Sequence, residues 1–82
     1  MNGFKYIILA DEGGTDPESA ILFPPWLTHK AIASAMQREF SRATVGAGFV
    51  RTEPESNRLR VHGESTSLRL AAKKSDEDFI NI

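Results

Sequence analysis

Nucleophilic catalysis needs a hydroxyl or thiol held beside a base. The chain offers Ser65 and Ser67, two imidazoles at His29 and His62, and no cysteine. Neither serine stands in a Gly-x-Ser-x-Gly elbow, and nothing in the spacing brings a base to either one. His29 falls on the apolar side of an expected helix N-terminus, where a partly buried histidine bonded to backbone is the ordinary outcome. His62 belongs to the outward face of a strand. Ingredients without that arrangement predict no enzyme and no cofactor.

The densest set of oxygen ligands is Asp11-Glu12-Gly13-Gly14-Thr15-Asp16-Pro17-Glu18. A hard cation is bound by carboxylates of this kind, but the spacing matches no EF-hand loop. Acidic Gly-rich connections are also common as solubilising turns, and no metal is expected here. Phosphate is disfavoured, because no lysine follows the glycines and four carboxylates would repel it.

Two further groups bear on partners rather than on catalysis. Arg58, Arg60 and His62 alternate along one strand face, with Arg51, Arg69, Lys73 and Lys74 close in sequence. If they converge they form a patch suited to phosphates, although Glu53, Glu55 and Glu64 are interspersed and Phe49 is the one aromatic nearby. Pro24-Pro25-Trp26 holds the chain extended ahead of a tryptophan, a residue favoured at interface hot spots. Burial as a lid over the core is the expectation for Trp26, since tryptophan is usually largely buried; an exposed anchor is the alternative.

The elements that must position these residues follow from periodicity and turn chemistry. Phe4 to Ala10 is aromatic and β-branched, ends at Gly13-Gly14, and has apolar residues on both faces, so it predicts a central strand or one meeting another subunit. Ala20 to Phe23 predicts a short strand stopped by Pro24-Pro25, paired antiparallel with the first. Thr28 is an N-cap candidate, with Leu27 and Ile32 placed for a hydrophobic staple. Ile32, Ala33, Met36, Phe40 and Ala43 share one helical arc with His29, opposite Lys30, Ser34, Gln37, Arg38, Ser41 and Arg42. A helix is therefore expected near 28–43, burying Ile32, Met36 and Phe40.

Val45 to Arg51 reads as a third strand, with Gly46 and Gly48 leaving little bulk on one face. A polar turn over 52–57 leads to Arg58-Leu59-Arg60-Val61-His62, whose alternation predicts a half-buried strand with Leu59 and Val61 inward. Ser67 to Leu70 alternates and is a candidate to extend the sheet. Ser75-Asp76-Glu77-Asp78 has capping-box spacing, so Phe79-Ile80-Asn81-Ile82 is expected to end a short helix that docks within the subunit or across a dimer.

These readings combine into a single α+β domain over 1–82, an antiparallel sheet of about four strands with one amphipathic helix in ββαββ order. At 82 residues there is room for one hydrophobic core, and without cysteine it cannot be stapled by disulfides. A content of 40% hydrophobic and 26% charged residues excludes global disorder. Apolar runs are too short to cross a bilayer, and the N-terminus lacks signal-peptide features, so a cytoplasmic location is expected. Charge is unevenly placed: residues 1–27 hold Lys5 against Asp11, Glu12, Asp16 and Glu18, and 28–74 hold nine Lys/Arg against four Glu. The tail adds Asp76, Glu77 and Asp78, so the middle is basic and the ends acidic.

The stretches Phe4-Lys5-Tyr6-Ile7-Ile8-Leu9, Ile21-Leu22-Phe23-Pro24, Leu27-Thr28-His29-Lys30, Ala47-Gly48-Phe49-Val50 and Gly63-Glu64-Ser65-Thr66-Ser67-Leu68 resemble pieces of short orphan proteins of phages and prophages. That resemblance implies a protein acting in the host cytoplasm by binding a host or phage protein, in some cases to antagonise host defence. It carries over no functional residue. The expected function is a non-enzymatic protein-interaction module with an unidentified protein partner, with homodimerisation an option; the alternative is nucleic-acid binding through the basic strand face. Trp26, Arg58, Arg60, His62 and Phe79 are the residues assigned to partner contact.

Overall fold

Five consecutive buried residues, Tyr6 to Ala10, make the first strand the centre of the molecule. In the computed structural model, which describes residues 3–11, 13, 14 and 16–81, β1 (Phe4–Asp11) lies between β2 (Ser19–Phe23) and β3 (Arg42–Thr52). β4 (Leu59–His62) completes an antiparallel sheet of order β2-β1-β3-β4. Helix α1 (His29–Phe40) connects β2 to β3, so the ββαββ architecture is the one expected.

The two faces of β1 are covered differently. On one, Ile7 and Leu9 pack with Phe23, Ala47 and the α1 residues Ile32, Ala33 and Met36. On the other, Tyr6, Ile8 and Val50 meet Val45, Leu59, Val61, Ala72, Phe79 and Ile80. This second cover is the C-terminal segment of the same chain. That segment begins with a small ribbon of β5 (Glu64–Ser65) and β6 (Leu70–Ala71), whose turn residue Leu68 and strand residue Leu70 pack on the first face with the α1 side chains. It reaches the second face through Ala72, a 3-10 turn at Lys74–Asp76 and helix α2 (Glu77–Ile80). Phe79 and Ile80 thus dock within the subunit, which removes the reason for expecting another subunit against β1; Ile82 lies outside the described residues.

Gly46 and Gly48 permit that docking. A Cβ on Gly46 would lie 2.9 Å from the Ile8 side chain, and one on Gly48 would lie 2.9 Å from the Ala72 Cβ and 3.0 Å from the Tyr6 ring. Beneath them Tyr6 donates to Asp76 Oδ2 at 2.5 Å, a bond between a fully buried phenol and a carboxylate only 3% exposed. Asp76 also accepts from the Lys73 backbone N–H at 3.1 Å. Burial, and then the bond to Asp76, pushes the Tyr6 hydroxyl far above its ordinary range.

The C-terminal segment also closes the outer edge of β4. Asn81 presents both amide atoms to Leu59, Oδ1 accepting its N–H at 2.9 Å and Nδ2 donating to its carbonyl at 2.9 Å. Glu77 accepts the Val61 N–H at 3.1 Å. Two outward N–H groups that would otherwise template another strand are therefore occupied by side chains.

Four expectations need correction. The helix ends at Phe40, not near Ala43, because Ser41 takes the left-handed conformation (φ 55°) as a C-cap and the next residues pair with β1. Arg42 consequently leaves the helix and sits in β3, bonded to Asp11 and Glu18. Phe40 is not core: it is 64% exposed, since the packing under α1 reaches Met36 and stops before the last turn. Residues 66–69 form a turn, so only Leu70 and Ala71 are strand, and they pair in the separate ribbon rather than in the main sheet. The short C-terminal helix is present over Glu77–Ile80, but Ser75 and Asp78 form no capping box: the side chain of Asp76 accepts the Lys73 N–H at the preceding 3-10 turn, and α2 has no side-chain cap bond.

Candidate functional site

The candidate site lies at the end of the sheet where β1 starts and β2 and β3 finish. Three features put side chains there. The chain leaves β2 through Pro24-Pro25-Trp26-Leu27, closed by a bond from the Leu27 N–H to the Pro24 carbonyl at 3.1 Å. Such a turn places its third residue at the tip, away from the strands. Trp26 is 79% exposed, so it is not a lid on the core. Phe4 opens β1 opposite Val50, before the fully covered part of the strand, and remains exposed like Leu27.

Behind the turn, an aromatic series runs across the sheet. His29 is buried and its Nε2 lies 2.7 Å from the Gly48 carbonyl; with an oxygen acceptor, this nitrogen is the donor. Its ring meets Phe23 and Phe49 edge-on, at centroid distances of 5.7 and 5.3 Å. Phe49 in turn stacks on His62 at 5.8 Å. Lys5 donates to the Leu27 carbonyl at 2.9 Å and holds its ammonium 5.9 Å from the Phe49 ring centroid. His29 is thereby structural, as a backbone-bonded histidine was expected to be. Neither histidine contacts a hydroxyl or carboxylate among the described residues.

Two clefts open on this end. One, of about 240 Å³, is lined by Gly3, Phe4, Pro25, Phe49, Val50, Arg51 and His62 and is largely apolar. The other, of about 360 Å³, is polar; its charged lining is Arg51, Glu53, Arg60, Lys74 and Glu77, with His62 beside them. Arg60 is engaged there on both sides: Nε and Nη2 donate to Glu53 at 3.1 and 3.4 Å, and Nη1 donates to Glu77 at 3.1 Å. Glu53 and then Glu77 hold the guanidinium above even its usual range. Glu53 is held below the usual carboxylate range first by the Ser56 hydroxyl and then by Arg60. Glu77 is lowered first by the Val61 N–H and then by Arg60.

The five residues assigned from sequence therefore part company. Trp26 and His62 reach this end of the molecule. Arg60 lines the polar cleft as part of an ion-pair triad with two carboxylates. Arg58 precedes β4, is exposed, and lines neither cleft. Phe79 is half-buried against Tyr6, Ile8 and Val50, so its apolar surface already serves the core. The convergence imagined for the basic residues is partial: Arg51 and Lys74 join Arg60 and His62, whereas Arg69 lies elsewhere on the ribbon turn. Phe4, Lys5 and Pro25 were missed. Two signals pointed toward them: the apolar first position of β1, directly before its buried run, and the Pro24-Pro25 pair ahead of Trp26.

The other candidates resolve into structure. Ser65 is buried, accepts from the Leu68 N–H at 3.3 Å and lies 3.4 Å from Ser67 Oγ, so the pair shapes a turn. In the acidic loop, Asp11 and Glu18 both close on the Arg42 guanidinium, a bridge between β1, the loop and β3. Glu12 and Thr15 lie outside the described residues, and among those described no group of three or more metal-ligating side chains gathers. No helix among them is long and apolar enough to cross a membrane. Comparison with protein-family models finds no match, and neither the curated proteins nor the solved structures contain one.

Proposed function

We propose that this protein is a non-enzymatic protein-binding module that engages its partner through the Trp26 end of the sheet. The observation that carries the reading is Trp26 itself, 79% exposed in a hydrogen-bonded turn beside an apolar cleft. Isolated exposed apolar residues are ordinary, but here Phe4, Trp26 and Leu27 are exposed together, with Lys5, Arg51 and His62 around them. An aromatic anchor beside an apolar cleft with polar neighbours is the anatomy of an interface hot spot. The resemblance to short phage proteins extends the proposal: the partner is a host or phage protein in the host cytoplasm, and blocking a host defence protein is one such role.

The test compares the wild-type chain with Trp26→Ala. Because Trp26 is exposed, its removal should change stability by no more than about 0.5 kcal/mol in urea denaturation. Affinity for the captured partner should nonetheless fall by about 2 kcal/mol or more, roughly thirtyfold. A partner retained at full affinity by the variant would refute the site.

A second reading, nucleic-acid binding, is supported by one observation: Arg51, Arg60, His62 and Lys74 share a single cleft. It requires affinity for a mixed oligonucleotide that falls steeply with salt and is lost on Arg51→Glu. Salt-independent binding would dispose of it. The two carboxylates in the same cleft and a net charge of −1 place this reading second.

A further inference from the structure

The apolar and polar clefts have a common wall. Arg51 and His62 line both, with Phe4, Pro25 and Phe49 on one side and Lys74, Glu53 and Glu77 on the other. Whatever fills one cleft therefore lies next to the other. The three cations of the polar cleft are not equivalent. Arg60 is engaged by Glu53 and Glu77, whereas Arg51 and Lys74 have no carboxylate within ion-pair distance among the described residues.

We propose that the double cleft receives one segment of the partner chain in which a large apolar side chain stands beside carboxylates. The proposal rests on the Trp26 end being the docking face, and it names the chemistry of what docks there. The apolar side chain enters between Phe4, Pro25 and Phe49, and the neighbouring carboxylate meets Arg51 and Lys74. A planar guanidinium matches a carboxylate with two parallel N–H donors, which supplies direction as well as charge.

Charge decides between an acidic peptide and a polyanion. Arg51, Arg60 and Lys74 against Glu53 and Glu77 leave a surplus of one positive charge, apart from His62. That surplus suits one or two carboxylates. A run of phosphates would have to pass Glu53 and Glu77 and would meet repulsion at each. The β4 edge also offers no backbone route for an added strand at Leu59 and Val61, since Asn81 and Glu77 hold those N–H groups. Specificity must then come from side chains in the clefts.

The experiment is selection of a random linear-peptide display library on the full chain, repeated on Trp26→Ala and on the double variant R51E/K74E. Arg51 and Lys74 are exposed, so the double variant should keep its circular dichroism spectrum, with a melting temperature lowered only slightly by the new negative charges beside Glu53 and Glu77. Wild type is expected to enrich peptides with Asp or Glu adjoining Leu, Ile, Phe, Met or Trp. A synthetic copy of the leading peptide should bind R51E/K74E at least about tenfold more weakly, and selection on that variant should turn to basic residues beside the apolar one. Enriched peptides without acidic residues, or with affinity indifferent to the reversal, overturn the inference. If those same peptides are lost on Trp26→Ala, the docking face stands while its acidic preference falls. An empty selection also overturns the inference and leaves the docking face to the partner-affinity test. Salt-sensitive binding of a mixed oligonucleotide, abolished by R51E/K74E, would replace the peptide with nucleic acid.

Discussion

Asp76 is the residue on which the packing of the second sheet face turns. Its carboxylate is buried with no cation bonded to it among the described residues, held by the Tyr6 hydroxyl and the Lys73 N–H. Tyr6→Phe leaves the shape unchanged and removes one of these donors, so it should destabilise the protein by about 1–3 kcal/mol in urea unfolding. An unchanged midpoint would mean that the bond contributes nothing net. At this scale the sequence was legible where a residue acts on its own chain neighbours. Thr28 caps α1 by accepting the Ala31 N–H at 3.1 Å, as its type and place predict. Exposure of Trp26 was not legible, because it follows from a turn geometry that competes with a general preference for burial. The pairing of Arg51 with Lys74 was equally hidden, since it depends on the C-terminal segment returning to the β3–β4 hairpin.

Among the elements, the C-terminal segment does more than its length promises. Its apolar residues were readable as needing cover, and alternation placed Leu59 and Val61 inward, where they pack. The start of β3 was not readable, since Arg42 to Thr44 suits a helix as well as a strand until the ladder with β1 decides. The edge-capping role of Glu77 and Asn81 was likewise invisible, because each acts on a strand more than a dozen residues away. That role has a pH signature. Glu77 has a folded-state pKa below its ordinary value, so its contribution is complete above the ordinary carboxylate range and is lost as pH falls through the folded value. Hydrogen-exchange protection at Val61 should therefore decrease as the solution is acidified below about pH 4, the ordinary range for glutamate. Glu77→Gln should weaken that protection already at neutral pH and flatten its dependence on acid. Protection that ignored both changes would remove Glu77 from the account of the edge.

For the molecule as a whole, covering both faces of β1 within one chain changes the expected assembly. The argument for a dimer was an uncovered strand face, and Phe79, Ile80 and Ala72 now occupy it. A monomer mass is expected by light scattering at tens of micromolar, concentrations at which a specific dimer of micromolar affinity would persist. A dimer mass would direct attention to the β2 edge, where no comparable side-chain cap is present among the described residues. The segregation of charge seen in sequence also takes a spatial form. Asp11 and Glu18 gather around Arg42 at one end of β1, while Lys5 and Arg51 lie near its start with Trp26 and Phe4. A partner that recognises Trp26 and Phe4 together with Lys5 and Arg51 approaches from that second end.

The most direct measurement of this claim is photo-crosslinking in the native host, with a benzophenone amino acid placed at Trp26, at Phe4 or at Ser34 on the outer face of α1. Docking at the Trp26 end predicts the same discrete protein adduct from positions 26 and 4 and none from 34. Adducts formed equally from position 34, or from that position alone, would contradict it.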